Sequence, residues 1–203
     1  MAIFPAVIDA TSAAAAAAAA ADPAARSSLR ARLRAGPLAR AIARVDLVLY
    51  RLLRQHGHDA ALELPVRRFS SLGEHAAIWL VLGAVGAALD GRRRERWLRG
   101  ARSVLLAYAL NTLLKGIVRR KRPRLEKLPA LISTPTSLSF PSAHASSSFA
   151  AARAYSTLLP GGPLYAGAAA MALSRVYLGV HYPSDIAAGA LLGTLVGATG
   201  RTR

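Results

Sequence analysis

The chain contains no cysteine, so disulfide frameworks, thiol nucleophiles and Cys-ligated zinc or iron–sulfur centres are all excluded, and the redox compartment is left open. Aromatic residues make up only 6% of it. That is too few for the stacking platforms with which basic proteins hold single strands, so nucleic acid is not expected as a partner. Acidic residues are equally scarce, 10 Asp and Glu against 27 Lys and Arg. They make no dense carboxylate cluster and no HExxH-type pair, which suits chemistry without a metal or other cofactor. Apolar runs are short: several fall below the ~20 residues that a bilayer crossing takes unless their flanks join in.

What is present is an unusual pairing: 53% hydrophobic residues together with a net charge of +17 over 203 residues. Disorder throughout is excluded, because the chain can bury a full core. The combination predicts an all-α integral membrane bundle of about five to six helices with basic flanks; a wholly buried soluble bundle is the alternative.

Residues 1–36 read as a disordered or transiently helical tail, an alanine run from Ala13 to Ala21 followed by Arg26, Arg30, Arg32 and Arg34. No basic residue precedes the apolar stretch, which argues against a signal peptide. The remainder, 37–203, forms one domain. Pro37 opens an amphipathic helix to about Gln55, with Leu38, Ile42, Val45, Leu49 and Leu52 on its apolar stripe, lying in the membrane interface or walling the bundle. Gly57 ends it. Apolar helices follow at 76–89, 98–118, 143–159, 164–179 and 186–200.

If these helices alternate across a bilayer, residues 91–100, 160–163 and 201–203 share one face, which their arginines make cytoplasmic. Residues 119–140 and 179–184 then share the outer face. That face is also basic, at Arg119, Arg120, Lys121, Arg122, Arg124 and Lys127, and capture of an anionic substrate would account for the exception.

Three stretches on the outer face carry polar residues at helix ends. In 115–123, Lys115, Arg119 and Arg122 are spaced to share one helical face before Pro123 stops the helix. In 141–144, Ser142 can cap a helix whose first-turn amides, at Ala143 and His144, then form an anion site. In 174–185, Arg175 ends one helix, His181 stands just outside the next, and Asp185 lies in that helix's first turn, placed to accept a hydrogen bond from the imidazole.

The order Lys115, Arg122-Pro123, then Pro141-Ser142-Ala143-His144, then Ser174-Arg175, His181 and Asp185 resembles the three-part signature of the type 2 phosphatidic acid phosphatase superfamily. That superfamily spans membrane lipid phosphatases, bacterial non-specific acid phosphatases and vanadium-dependent haloperoxidases. The resemblance covers about residues 65–200. One position departs, Ala143 standing where the family usually has Gly. The resemblance implies catalysis without a metal: His181 attacks phosphorus, Asp185 orients and charge-stabilises it, and His144 protonates the leaving group and then activates water. Lys115, Arg122, Ser142, the Ala143 amide and Arg175 would hold the phosphate.

The resemblance also implies a multi-pass protein of the bacterial plasma membrane with its active site facing outward. Its substrate would be a lipid phosphate, with polyprenyl phosphate, polyprenyl diphosphate or phosphoribosyl polyprenyl phosphate favoured, partly because an Ala-rich, Arg-over-Lys composition suggests a high-GC bacterium. Phosphatidic acid and phosphatidylglycerol phosphate are alternatives within this chemistry. A vanadate-dependent haloperoxidase and a non-catalytic protein binding anionic lipids are alternatives outside it. Oligomeric state is left open. His56, His58, His75 and Glu74 read as surface groups, Asn111, Thr112, Ser146, Ser147 and Ser148 as interhelical contacts or lining of the substrate's route, and Arg153 has no evident partner.

Overall fold

Local signals place the helix starts. Pro37 opens α1 (Pro37–His56) and Pro183 opens α7 (Pro183–Thr199), where a missing N–H costs nothing. Asp59 caps α2 (Ala60–Ser71) by accepting from the Ala61 amide at 2.9 Å. Ser142 caps α5 (Ala143–Tyr155), its hydroxyl accepting from the Ala145 amide. α3 (Ala77–Leu89), α4 (Arg94–Val118) and α6 (Gly161–Tyr177) complete seven α-helices and no strands, in a computed structural model that describes residues 36–126 and 128–200. The expected tail, apart from Gly36, lies outside the described residues, as do Lys127 and 201–203.

The chain divides into two compact units, Met1–Val45 and Asp46–Arg203, with the boundary inside α1. In the first, the described part of α1 is exposed along its length. In the second, α1 is amphipathic as expected, and its apolar stripe faces outward. Its buried stripe is polar, Asp46, Tyr50 and Arg54 at four-residue steps, while Val48, Leu49, Leu52 and Leu53 are exposed. Arg54 donates to the carbonyls of Tyr177 and Pro129 at 2.8 and 2.7 Å, and the Tyr50 hydroxyl donates to that of Gly179 at 3.2 Å.

α2 is the helix beyond the expected count. Pro65 in its interior and its mixed charge masked an apolar period. α2 runs through a single 3-10 turn, Glu74–Ala76, into α3 at an angle of 48°. That turn holds two consecutive left-handed residues, His75 (φ 52°) and Ala76 (φ 62°). α4 begins earlier than the apolar pattern, because Asp90 caps the preceding turn by accepting from the Arg93 amide. It ends at Arg119, which is left-handed (φ 52°).

α5 is the buried centre of the bundle. Gly189, Gly193 and Gly197 of α7 stack at four-residue steps onto the backbone of α5 at Ser142, Ser146 and Ala150. A Cβ at Gly189 would stand 2.6 Å from the Ser142 oxygen, and one at Gly197 2.5 Å from that of Ala150, so only glycine permits the approach. The Tyr155 hydroxyl donates to the Trp79 carbonyl at 3.1 Å and Trp79 Nε1 donates to Ser148 at 2.8 Å. Asn111 on α4 donates to Ser146 on α5 at 2.9 Å, one of the expected interhelical contacts.

Among the described residues, one helix, Gly91–Val118 with its leading 3-10 turn, is long and apolar enough to cross a bilayer, and the bent pair Ala60–Ser71 with Glu74–Leu89 makes at most a second. α5 has 13 residues and at 1.5 Å per residue covers only ~20 Å.

Candidate active site

The C-terminal ends of α4 and α6 and the N-terminal ends of α5 and α7 meet at one end of the bundle, under the loop 119–142. The loop folds back on itself: the Arg122 amide donates to the Ser137 carbonyl at 3.1 Å and the Ser139 amide to the Arg120 carbonyl at 2.7 Å. It is tied to the α6–α7 turn by the Leu131 amide, which donates to the Leu178 carbonyl. Beneath it lies a cavity of about 230 Å³ whose walls include Lys115, Arg122, Ala143, His144, Arg175 and His181. A larger cavity of about 550 Å³ lies on the loop side of Arg122, bounded also by Gly179 and Val180.

His181 is held at both ring nitrogens. Its Nδ1 lies 3.4 Å from Asp185 Oδ2 and its Nε2 3.1 Å from Arg122 Nη1. A guanidinium only donates, so Nε2 carries the lone pair and Nδ1 the proton, which it donates to Asp185. Burial lowers the His181 pKa to about 3, the Asp185 hydrogen bond opposing and the Arg122 charge reinforcing the shift. The ring is thus a neutral imidazole with its free electron pair on the nitrogen that faces the cations.

Asp185 is fully buried and also accepts from the Tyr182 amide at 2.9 Å and from Arg120 Nη1 at 2.9 Å. Arg120 lies over the Tyr182 ring, 4.1 Å from its centroid, and its other terminal nitrogen donates to Asp46 at 2.7 Å. Asp46 in turn accepts from the Ser184 amide at 2.8 Å. Neither Arg120 nor Asp46 was singled out in the sequence. Arg120 is one cation in a run of four, and its partners are 74 and 65 residues away; the one available signal was a lone carboxylate, Asp46, in an arginine-rich helix.

His144 Nε2 donates to the Ser70 carbonyl at 3.1 Å, leaving Nδ1 as the nitrogen that can gain or lose a proton. The Ser70 hydroxyl accepts from Arg175 Nη1 at 2.7 Å, so the end of α2 orients two cavity side chains at once. Arg175 lines the cavity and is buried, and its Nε–H is a buried donor with no partner among the described residues. Lys115 Nζ donates to the Leu138 carbonyl at 3.5 Å. Gly73, which follows α2, touches the site directly: a Cβ there would stand 2.8 Å from His144 Cδ2.

Of the eight expected site residues, Lys115, Arg122, Ala143, His144, Arg175 and His181 line the cavity. Asp185 sits behind His181. Ser142 is fully buried and its hydroxyl caps α5 rather than facing the cavity. Arg119 is a correction: α4 ends at Val118, so Arg119 and Arg122 do not continue its helical face, and the loop alone brings Arg122 to Lys115. His75 and Glu74 are exposed as expected, yet both line the cavity with Tyr108, Asn111 and Thr112.

The sequence model of the PAP2 superfamily matches residues 97–201. Decaprenylphosphoryl-5-phosphoribose phosphatase of Mycobacterium tuberculosis is 46% identical over 136 residues, 65% of this chain and 75% of that protein. The protein of that name from Mycolicibacterium smegmatis is 44% identical over 125 residues, 61% of this chain and 68% of that protein. Two solved structures share the fold. Aquifex aeolicus LpxE has a TM-score of 0.66 at 24% identity, over 77% of this chain and 94% of that one. The transmembrane PAP2 type phosphatidylglycerolphosphate phosphatase from Bacillus subtilis has a TM-score of 0.64 at 22% identity, over 84% of this chain and 88% of that one.

Proposed function

The chain belongs to the PAP2 superfamily and is a phosphatase, and from that membership and the cavity's geometry we propose that it removes the terminal phosphate of a polyprenyl-linked phosphoribose. The observation that carries the chemistry is the state of His181: a neutral imidazole, its proton committed to Asp185 and its lone pair on the side of Arg122, Lys115 and Arg175. The substrate reading is supported by the names of the relatives above 40% identity.

In this reading Lys115, Arg122 and Arg175 hold the phosphate's equatorial oxygens, with the Ala143 amide at the start of α5. Arg122 turns from Nε2 to the phosphate as substrate enters. His181 Nε2 forms a bond to phosphorus while the bond to the ester oxygen breaks, and His144 gives that oxygen a proton. His144 then takes a proton from water. The hydroxide attacks phosphorus, the P–N bond breaks, and inorganic phosphate leaves. The fit is sterically open at Ala143, a half-buried first-turn helical residue that lines the cavity.

We further propose that the protein crosses the plasma membrane several times with this end of the bundle outside. Exposed aliphatic side chains on α3 (Val81, Val85), α4 (Leu105, Leu113), α6 (Leu173) and α7 (Leu191, Leu195), together with a polar buried stripe on α1, support a lipid-facing perimeter. Because the chain lacks cysteine, a single cysteine at Ser133 should label from outside intact cells.

The catalytic test is phosphate release by the detergent-purified protein, with EDTA present, from phosphoribosyl polyprenyl phosphate, polyprenyl phosphate, polyprenyl diphosphate, phosphatidic acid and phosphatidylglycerol phosphate. Preference for the first, abolished in His181→Ala, is the expected result. Preference for a glycerolipid would overturn the substrate assignment, and undiminished turnover by His181→Ala the mechanism.

A further inference from the structure

The part of the cavity lining that adjoins the cations is unlike a lipid-binding surface. Glu74, His75, Tyr108, Asn111 and Thr112 line it, and none is used in the phosphate chemistry above. Tyr108 is hydrogen-bonded to His75 Nδ1 at 3.0 Å. Asn111 is fully buried; its Nδ2 donates to Ser146, but its Oδ1 has no partner among the described residues. Thr112 donates to the Tyr108 carbonyl at 3.0 Å, which leaves its oxygen able to accept. The wall therefore offers acceptors to the cavity, a carboxylate and two hydroxyl oxygens, with the unpaired Asn111 oxygen buried within it. Their complement is a group rich in hydroxyl donors.

The backbone supports a functional reading. His75 and Ala76 are consecutive left-handed residues with side chains (φ 52° and 62°), a conformation that costs on the order of 1 kcal/mol or more per residue and persists where surrounding structure enforces it. This turn breaks α2 from α3 and brings Glu74 and His75 to the cavity rim beside Tyr108. A simple helix–helix corner could use glycine here at no such cost, as Gly73 one step earlier shows is available to the chain.

We propose that Glu74, His75, Tyr108, Asn111 and Thr112 form a hydroxyl-recognition subsite. It receives the sugar ring between the scissile phosphate and the lipid, and so selects a phosphorylated sugar over a phosphate carried directly on an isoprenoid or acylglycerol chain. The proposal rests on the phosphatase reading and deepens it. A site built to accept from hydroxyls discriminates against analogues lacking them, because those hydrogen bonds are then not made.

Two measurements on full-length protein in detergent test it. The first is the ratio of kcat/KM for phosphoribosyl polyprenyl phosphate over that for polyprenyl phosphate in wild type, Tyr108→Phe, Glu74→Gln and His75→Asn. Asparagine tolerates the left-handed backbone, so the last variant keeps the turn. The ratio should fall ~10-fold in each variant, about one lost hydrogen bond; an unchanged ratio overturns the subsite. The second uses binding alone, in His181→Ala: ribose 5-phosphate should bind tighter than glycerol 3-phosphate, and Tyr108→Phe should remove the difference. Equal binding of the two sugar and glycerol phosphates overturns the subsite even where turnover persists. A preserved binding preference in a protein that releases phosphate from no lipid would support the subsite and overturn the phosphatase reading instead.

Discussion

Arg120 donates to Asp185 at 2.9 Å through one terminal nitrogen and to Asp46 at 2.7 Å through the other. A residue from α1, outside the segment matched by the family, is thereby coupled through one guanidinium to the carboxylate that orients His181. The planar fork of arginine is what lets a single side chain bridge two carboxylates. Arg120→Ala leaves both without their cation, Asp185 fully buried and Asp46 nearly so, and should cost ~3 kcal/mol of stability and ~10²-fold in kcat. Arg120→Lys can serve one carboxylate at a time and should fall between. Turnover with thermal unfolding in detergent measures both; full activity in Arg120→Ala would show that Asp185 orients His181 without the Arg120 guanidinium.

Gly73 has ordinary right-handed dihedrals (φ −86°), so alanine there meets no backbone penalty and probes space alone. The added methyl would press on His144 Cδ2 at 2.8 Å and Met171 Sδ at 2.6 Å. Because the His144 ring is pinned to the Ser70 carbonyl, Gly73→Ala should lower kcat ~10-fold while KM changes little. An unchanged kcat would mean that Met171 alone yields.

The glycine ladder of α7 predicts a different signature. At Gly193 a Cβ would land on the Ser146 carbonyl, so Gly193→Ala must separate α5 from α7, the helices that carry His144 and Asp185. The expected cost is ~2 kcal/mol from overpacking, with kcat falling in the same variant. Gly91, whose Cβ would meet nothing within 4 Å, supplies the control, and Gly91→Ala should be silent in thermal unfolding and turnover.

The pH dependence follows from His181. Its folded-state pKa is lowered to about 3 from an ordinary 6.5, so between those values the unfolded chain binds a proton that the folded one refuses. Stability from this group is complete above pH 6.5 and is lost progressively as pH falls toward 3. The His181 ring stays unprotonated over the same window, so kcat/KM at pH 5 should show no acid limb owed to it, while thermal unfolding at pH 5 occurs at a lower temperature than at pH 7. An acid limb near 6.5 that moves in Arg122→Lys would show His181 titrating in the ordinary range.

The sequence by itself determined the helical class, some helix starts, and which side chains could do chemistry. These depend on neighbours within a few residues: proline at a first helical position, Ser142 ahead of α5, Asp185 four residues after His181. Tertiary structure alone decided what those residues face. α1 carries a clear leucine stripe, but periodicity locates stripes and not their surroundings; the buried one is Asp46, Tyr50 and Arg54 because the 177–179 turn and Arg120 supply their partners. Arg119 and Arg122 looked helical in phase with Lys115 until the chain reversed at a left-handed residue, a choice settled by where the loop must return. Arg120 was one cation of a run until its fork met two carboxylates, one of them 74 residues away in sequence, and His75 was a surface histidine until a strained turn carried it to Tyr108. Local preferences set each element, and only the closing of long loops could say which polar groups would share a cavity.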